Sequence, residues 1–130
     1  MSFSRYRDWL DEALDDLSVA EILFREGKYS KVCFFAQQAA EKALRALIIY
    51  RHKRYVDIHS ISELLRIAKA PQELIEKGDT LDRHYIPSRY PNAWPYGAPY
   101  KHYKKSDAEE ALRICREVIS YVLREIKESS

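Results

Sequence analysis

The residues of this chain best suited to binding chemistry are concentrated between Tyr85 and Tyr103, in the sequence YIPSRYPNAWPYGAPYKHY. This segment holds five of the ten tyrosines, one of the two tryptophans and four of the five prolines. Arg83, His84 and Arg89 lie beside or within it, so flat aromatic faces and fixed positive charge occur together. Aromatic rings stack on planar groups and attract cations, so this composition favours a planar or phosphate-bearing ligand.

Two interpretations of the central residues of this segment are open. The rings of Tyr85 and Tyr90 could stack on a base, or they could close one end of the fold with Arg89 paired to an acid such as Glu41 or Asp82. An ordered loop must satisfy its own backbone groups, so we expect Tyr85 and Tyr90 mainly to pack. The residues expected to be freer to meet a ligand are Arg89, Tyr96, Tyr100 and His102.

A second group of polar residues interrupts an alanine-rich run, AQQAAEKALRALI. Glu41 and Arg45 are four residues apart, which in a helix allows an ion pair on a solvated face. Alternatively, Glu41 lies partly inside the fold and fixes a cation or a hydroxyl, such as Arg89 or a tyrosine of the long loop. Gln38 and Lys42 are predicted on the adjacent flank.

His59 directly precedes Ser60, which forms an S-x-x-E capping box with Glu63. The imidazole would therefore lie at the positive end of a helix, where a neutral histidine could help to receive a phosphate. The alternative is a structural His59 that hydrogen-bonds the loop. Arg54 and His59 also have the spacing of a ribonuclease signature, but one such pair is expected by chance among 22 Lys/Arg and four His.

The elements that position these residues are predicted to be helices, because apolar residues recur with helical periodicity. Apolar residues from Tyr6 to Phe24 recur at three- and four-residue intervals, with Ser4 as the predicted N-cap and Gly27 as the stop. A second helix begins near Ser30 and carries a stripe rich in alanine.

Three further helices follow. The third begins at the Ser60 capping box, and Pro71 fits the first turn of a fourth that runs toward His84, with Gly78 as its weak point. The long Pro/Tyr-rich loop comes next, because prolines at every fourth position exclude a continuous helix. Ser106 and Glu109 form a predicted capping box for the last helix. No stretch alternates with period two, so the sequence predicts an all-α, up-and-down bundle of about five helices.

Composition limits the protein to one domain over residues 1–130, with 46% hydrophobic and 32% charged residues in 15.4 kDa. No apolar run approaches the roughly 18 residues of a membrane span, so we expect a cytosolic protein without a membrane partner. Cys33 and Cys115 fall on apolar stripes and are predicted to be buried thiols, and neither a metal site nor a cofactor is expected. Residues 27–105 carry a net charge of +8, between ends of −4 and −2.

Four sequence elements, in order, resemble the HEPN family, the higher eukaryotes and prokaryotes nucleotide-binding domain. They are W-x3-A-x2-DL from Trp9, GKYS-x2-CFFAQQAAEKALRALI, HSISELL and LDRHYIPSRYPN. The resemblance implies a helical bundle similar to the helical domain of kanamycin nucleotidyltransferase, with frequent homodimerisation. It also implies partnership with a minimal nucleotidyltransferase, often in a toxin–antitoxin pair. The ligand-binding residues carried over from the family elements are Glu41, Lys42, His59, Tyr85, Arg89 and Tyr90.

The resemblance departs from the family pattern at the ribonuclease signature. Active HEPN ribonucleases carry R-x4-6-H near the start of the last helix, where this chain has His102 but no arginine four to six residues before it. The first hypothesis is therefore a non-enzymatic, homodimeric module that binds an ATP- or GTP-like nucleotide, a nucleotidyltransferase, or both. The second is a metal-independent ribonuclease that acts on RNA through His59 or His102 and a nearby arginine.

Overall fold

Five α-helices and two short 3-10 turns make up the computed structural model, which describes residues 5–129 and the side chains of residues 5–127. The helices are α1 (Tyr6–Arg25), α2 (Tyr29–His52), α3 (Ile61–Ile67), α4 (Gln72–Asp82) and α5 (Lys105–Ser129). The described residues contain no strand, so the predicted all-α bundle of about five helices is confirmed. The predicted N-cap Ser4 lies outside the described residues.

Helix α2 is the centre of the bundle and contacts each of the other four helices. Its alanines allow this, because small side chains let neighbouring helices approach closely, and Ala36, Ala39, Ala40 and Ala43 are all fully buried. Helix α1 reaches α2 through a tight turn in which Gly27 has a φ of +74°, a left-handed conformation that glycine adopts without strain. The predicted stop at Gly27 is thus confirmed.

Gly78 of α4 is not the weak point that its residue type suggested. A Cβ atom at this position would lie 2.9 Å from Leu65 Cδ1 and 3.2 Å from the Ser62 backbone nitrogen. Glycine is therefore what lets α4 pack directly on α3, and the cost of its conformational freedom is offset by this close approach.

The predicted helix starts agree with the structure in part. Ser60 Oγ accepts a hydrogen bond from the Glu63 backbone N–H at 3.2 Å, which confirms the capping box of α3. The Ser106 box is wrong, because α5 already begins at Lys105 and Asp107 Oδ2 accepts from the Lys104 backbone N–H at 2.8 Å. The acid of the first turn is Asp107, and it belongs to a helix that begins earlier than the Ser106 box predicted.

The Pro/Tyr-rich loop is ordered by its own rings. Trp94 donates its indole N–H to the Pro87 carbonyl at 2.8 Å and stacks on His102, with ring centroids 4.1 Å apart and planes 4° from parallel. His102 Nε2 also lies 2.6 Å from the Tyr96 carbonyl oxygen. The expectation that His102 is free for a ligand is therefore wrong, whereas Tyr96 and Tyr100 are exposed, at 75% and 65%.

None of the helices in the described residues is long and apolar enough to cross a membrane.

Candidate ligand-binding site

Arg89 is held in a cage of three aromatic rings. Its guanidinium carbon lies 4.6 Å from the ring centroid of Phe34 and 4.7 Å from those of Tyr85 and Tyr90. Nε donates to the Tyr85 carbonyl at 3.1 Å, which fixes the orientation of the group. Among the side chains of residues 5–127 no acid pairs with Arg89, and neither terminal Nη atom has a hydrogen-bond partner there. The cage therefore leaves both Nη atoms of Arg89 free to donate, which is the arrangement that binds phosphate or carboxylate in a bidentate manner.

The alternative in which Arg89 pairs with an acid such as Asp82 or Glu41 is wrong, because both acids have other partners. Asp82 accepts hydrogen bonds at 2.5–3.2 Å from the backbone N–H groups of Ile61 and Ser62 and from the hydroxyls of Ser60 and Ser62. Its carboxylate thus occupies the N-terminus of α3. A phosphate beside His59 would have to displace this carboxylate, so the helix-end phosphate site, one of the two alternatives for His59, is already filled from within the protein.

His59 joins the cage through Tyr85. The two rings stack with centroids 5.6 Å apart and an interplanar angle of 19°. His59 Nδ1 lies 3.2 Å from Arg45 Nη2 and 3.3 Å from Glu41 Oε2, whereas Nε2 lies 3.6 Å from the Asp57 carboxylate. Because the side chain is 53% exposed, one ring nitrogen is anchored to α2 while much of the ring remains open to solvent.

A buried ion pair on α2, formed by Glu41 and Arg45, contacts this histidine. Glu41 Oε2 and Arg45 Nη2 are 2.9 Å apart, and their side chains are only 6% and 4% exposed. Gln37 Nε2 lies 3.3 Å from Glu41 Oε1 and 3.2 Å from the His59 carbonyl, and Arg45 Nη2 donates to the Ile58 carbonyl at 2.8 Å. The prediction of a Glu41–Arg45 pair is confirmed, but its placement on a solvated face is wrong.

Arg45 is enclosed by aromatic rings as well. Its guanidinium carbon lies 5.2 Å from the ring centroid of Tyr55 and 5.6 Å from that of Trp9. Arg45 Nε is buried without a hydrogen-bond partner in the described part of the chain. Nη1 of this arginine donates to the Tyr55 hydroxyl, and Nη2 contacts Glu41, His59 and the Ile58 carbonyl. Arg45 therefore positions other groups, whereas Arg89 is only partly buried.

Lys42, the remaining predicted site residue, lies apart from this group. Its ammonium is 2.7 Å from Asp16 and 3.9 Å from Glu12, on the side of α2 that faces α1. The carboxylates of Glu12, Asp15 and Asp16 lie within 4.8 Å of one another, and Lys42 neutralises part of their charge. The structure therefore brings together five of the six predicted residues, and Lys42 instead joins α1 to α2.

Sequence reasoning missed Phe34 and underestimated Arg45. Phe34 forms one wall of the Arg89 cage, and it could have been noticed because a bulky aromatic residue stands beside an alanine-rich stripe. Arg54, whose spacing from His59 matched the ribonuclease signature, is exposed and forms no hydrogen bond or ion pair with His59. The arginine that does contact His59 is fourteen residues upstream and buried.

The titratable groups away from this site are suited to packing. Burial raises the pKa of the Cys33 thiol to about 12 and that of the Cys115 thiol to about 12, so neither is a nucleophile at neutral pH. Both are free and buried, as predicted. Burial also lowers the pKa of His84, whose Nδ1 lies 3.0 Å from the Tyr103 hydroxyl, so this histidine is neutral and engaged within the protein.

Comparison with known proteins decides the family. The model of the HEPN domain matches residues 6–126, which is nearly the whole chain. The chain belongs to the HEPN family. The resemblance first seen in four sequence elements is thereby confirmed, and the matched region includes every residue of the Arg89 cage.

Individual relatives of this HEPN protein agree with the family match. A protein of Methanocaldococcus jannaschii named "Putative toxin MJ1304" is 29% identical over an alignment 133 residues long, gaps included, which covers 92% of this chain and 87% of the relative. The crystal structure of TT1696 from Thermus thermophilus has a TM-score of 0.88 at 40% identity, covering 92% of this chain and 97% of that one. ST0689, described as an archaeal HEPN homologue, has a TM-score of 0.82 at 35% identity, with coverages of 94% and 98%.

Proposed function

We propose that this HEPN protein is a toxin-like binding module that takes up a nucleotide at the Arg89 cage. The observation that carries the proposal is the state of Arg89: three rings and one backbone carbonyl fix the guanidinium, and its Nη donors are left without an acceptor in the described part of the protein. A fixed, unpaired bidentate donor costs little further ordering when a phosphate binds.

The groups around Arg89 suit the rest of a nucleotide. Tyr90 is 47% exposed and the His59 side chain 53% exposed, so both offer ring surface beside the cage. Stacking of a base on such a ring contributes roughly 1–3 kcal/mol and tolerates any base. A phosphate on Arg89 and a base on Tyr90 or His59 would therefore give an ATP- or GTP-like ligand two independent contacts.

We expect ATP or GTP to raise the melting temperature of the protein by binding to the folded state. The substitution Arg89→Ala is expected to weaken nucleotide binding by about tenfold or more. Arg89→Lys keeps the charge but loses the bidentate geometry, so it should restore only part of the affinity. Differential scanning fluorimetry over a nucleotide concentration series, for ATP, GTP, ADP and GDP, measures both effects. Arg113→Ala, an exposed arginine on α5, is the control variant.

Two results would contradict this half of the proposal. The first is an unchanged melting temperature at saturating concentrations of all four nucleotides. The second is equal loss of binding in Arg113→Ala, because a nonspecific charge effect would then explain the affinity.

We further propose that the module acts as a homodimer and as the partner of a minimal nucleotidyltransferase in a toxin–antitoxin pair. The relative named as a toxin supports the toxin-like role. Exposed apolar side chains on α1 and α5, namely Leu14, Ile22 and Leu123 at 39–50% exposure, supply surface that association would cover. Light scattering of the purified protein and co-purification from the native host test the two associations separately, and a monomer at micromolar concentration would refute the first.

A ribonuclease is the second candidate, and one observation favours it. His59 and Arg89 both contact the ring of Tyr85, so an exposed imidazole and an unpaired guanidinium lie on the same part of the surface despite their distance in sequence. Metal-independent RNA cleavage requires such a pair: the histidine accepts the proton of the 2′-hydroxyl, and the arginine stabilises the charge on the phosphorane.

Because the R-x4-6-H signature is missing at the last helix, we expect RNA to stay intact when incubated with the pure protein in EDTA. Gel analysis of one structured and one unstructured RNA measures this. Cleavage that is lost in both His59→Ala and Arg89→Ala, but kept in His102→Ala, would replace the binding module by the ribonuclease at this site.

A further inference from the structure

Three of the four residues of the Arg89 cage lie on one short segment, residues 83–90, here called the cage turn. Tyr85, Arg89 and Tyr90 belong to it, and only the fourth, Phe34, comes from a helix. The backbone N–H groups of Arg89 and Tyr90 share one carbonyl acceptor within the turn, at 3.0 and 3.1 Å. A single turn is unstable alone, because so few hydrogen bonds do not offset the entropy lost in ordering it. The geometry of the cage therefore depends on contacts from outside the cage turn.

Trp94 contacts the cage turn at Pro87. Its indole N–H donates to the Pro87 carbonyl at 2.8 Å, two residues before Arg89. The Trp94 ring is itself held, since it stacks on His102 with centroids 4.1 Å apart and meets the ring of Tyr103 edge-on at 5.9 Å. Because the donor is fixed in this way, the hydrogen bond restrains the part of the turn that carries Arg89.

Tyr103 contacts the same turn at a second point. Its hydroxyl lies 3.0 Å from Nδ1 of His84, near the start of the cage turn. Burial raises the pKa of Tyr103 and lowers that of His84, so at neutral pH a protonated hydroxyl donates to a neutral imidazole. The His84 carbonyl accepts from the Ser88 hydroxyl, which lies inside the turn. Trp94 and Tyr103, whose rings contact each other, therefore hold the cage turn at two points.

Neither Trp94 nor Tyr103 is part of the cage. Among the side chains of residues 5–127, neither forms a hydrogen bond with Arg89 or stacks on the rings around it. The route from them to Arg89 runs through the backbone of the cage turn. Residues placed in this way affect a ligand by setting the fraction of molecules in which the guanidinium is correctly oriented, since bidentate binding tolerates little rotation.

We propose that Trp94 and Tyr103 are positioning residues for the nucleotide site, and that they hold the cage turn so that Arg89 is oriented before the ligand arrives. This role rests on the proposed nucleotide site, but the orientation of Arg89 can be measured without a nucleotide. Two conservative variants, Trp94→Phe and Tyr103→Phe, each remove one donor and keep an aromatic ring. The control is Asn92→Ala, because Asn92 is an exposed residue of the same loop whose side chain forms no hydrogen bond among the described residues.

The first test observes the free protein by ¹⁵N NMR of arginine side chains. We expect the wild-type Arg89 Nε–H signal to be displaced by the three surrounding rings and to exchange slowly with water, because Nε donates to the Tyr85 carbonyl. In both Phe variants the displacement should shrink and the exchange should become about fivefold faster, while thermal unfolding stays cooperative. Unchanged Arg89 signals in both would overturn the proposal, because the cage would then hold itself. Equal changes in Asn92→Ala would overturn the assignment to these two residues.

The second test follows nucleotide binding by stopped-flow fluorescence with N-methylanthraniloyl derivatives of ATP and GTP. A positioning residue changes the population of the binding-competent state, so both Phe variants should lower the association rate constant about fivefold and leave the dissociation rate constant unchanged. Arg89→Ala removes a ligand contact and should instead raise the dissociation rate constant. A Phe variant that weakens binding through faster dissociation would show that the residue contacts the ligand, and the positioning role would fail.

The two tests separate this role from the nucleotide site itself. If neither nucleotide binds the wild-type protein while the Arg89 signal responds to both Phe variants as expected, the nucleotide site fails and the positioning of Arg89 stands. If nucleotides bind and the Phe variants change neither the Arg89 signal nor the association rate constant, the positioning role fails and the nucleotide site stands.

Discussion

Glu41→Ala is expected to lower the free energy of unfolding by about 3–5 kcal/mol, because it leaves the charge of Arg45 buried without its partner. Arg45 is 4% exposed, and its Nε already lacks a hydrogen-bond partner among the described residues, so the guanidinium cannot turn to solvent without opening the bundle. His59 loses an anchor in the same step, since Glu41 is one of the two groups that contact its Nδ1. Urea denaturation followed by far-ultraviolet circular dichroism measures the change.

The double variant Glu41→Ala with Arg45→Met is the matched test of this cause. Removing both charges should recover much of the lost stability, because an apolar replacement of a buried pair is often neutral. A double variant as unstable as Glu41→Ala would show that packing volume, and not the uncompensated charge, is responsible. Glu63→Ala, which breaks an exposed pair with Arg66, should cost less than about 1 kcal/mol.

Asp82→Ala is the second substitution with a large expected effect, a loss of about 2–4 kcal/mol. One carboxylate accepts hydrogen bonds from two backbone N–H groups and two hydroxyls at the start of α3. Because α3 has only seven residues, few hydrogen bonds within the helix stabilise it, and the loss of this cap has a large effect. Thermal unfolding measures the loss, and hydrogen exchange at the Ile61 and Ser62 amides should become faster before the rest of the bundle is affected.

Asp79→Ala is the control for this prediction, because Asp79 is an exposed acid on the same helix. Its substitution should change stability by less than about 0.5 kcal/mol. If the two variants lose equal stability, the loss comes from the charge or helix propensity of α4, and the hydrogen bonds to α3 are not its cause.

The helices could be predicted because their signals are local. Gly27 ends α1 and Ser60 caps α3 through contacts within a few residues, and a sequence displays such contacts directly. The alanine stripe of α2 likewise predicted a helix packed on several sides, since small residues have few other uses at helical spacing. The start of α5 was misplaced because the acid of its first turn is Asp107, whose carboxylate accepts from the Lys104 backbone N–H, and Glu109 lies beyond that turn.

The sequence predicted most of the residues of the site, but it did not predict which of them contact one another or which are buried. Which acid pairs with which base depends on contacts between distant segments: Asp82 is more than twenty residues from Ile61, and its carboxylate fills the position expected for a phosphate. Arg45 and Arg89 are both arginines flanked by aromatic residues in the folded chain, yet only Arg45 is buried. Periodicity gives the face of a helix, and the tertiary fold decides which polar residue on that face is enclosed.

The stacking of Trp94 on His102 has a practical consequence for spectroscopy. The two tryptophans of the chain belong to different parts of the fold, with Trp9 on α1 beside Arg45 and Trp94 inside the Pro/Tyr-rich loop. In a Trp9→Phe background, tryptophan emission comes from the loop alone, while circular dichroism follows the helices. The protein therefore carries its own optical probe for asking whether the loop that holds Arg89 loosens before the bundle melts.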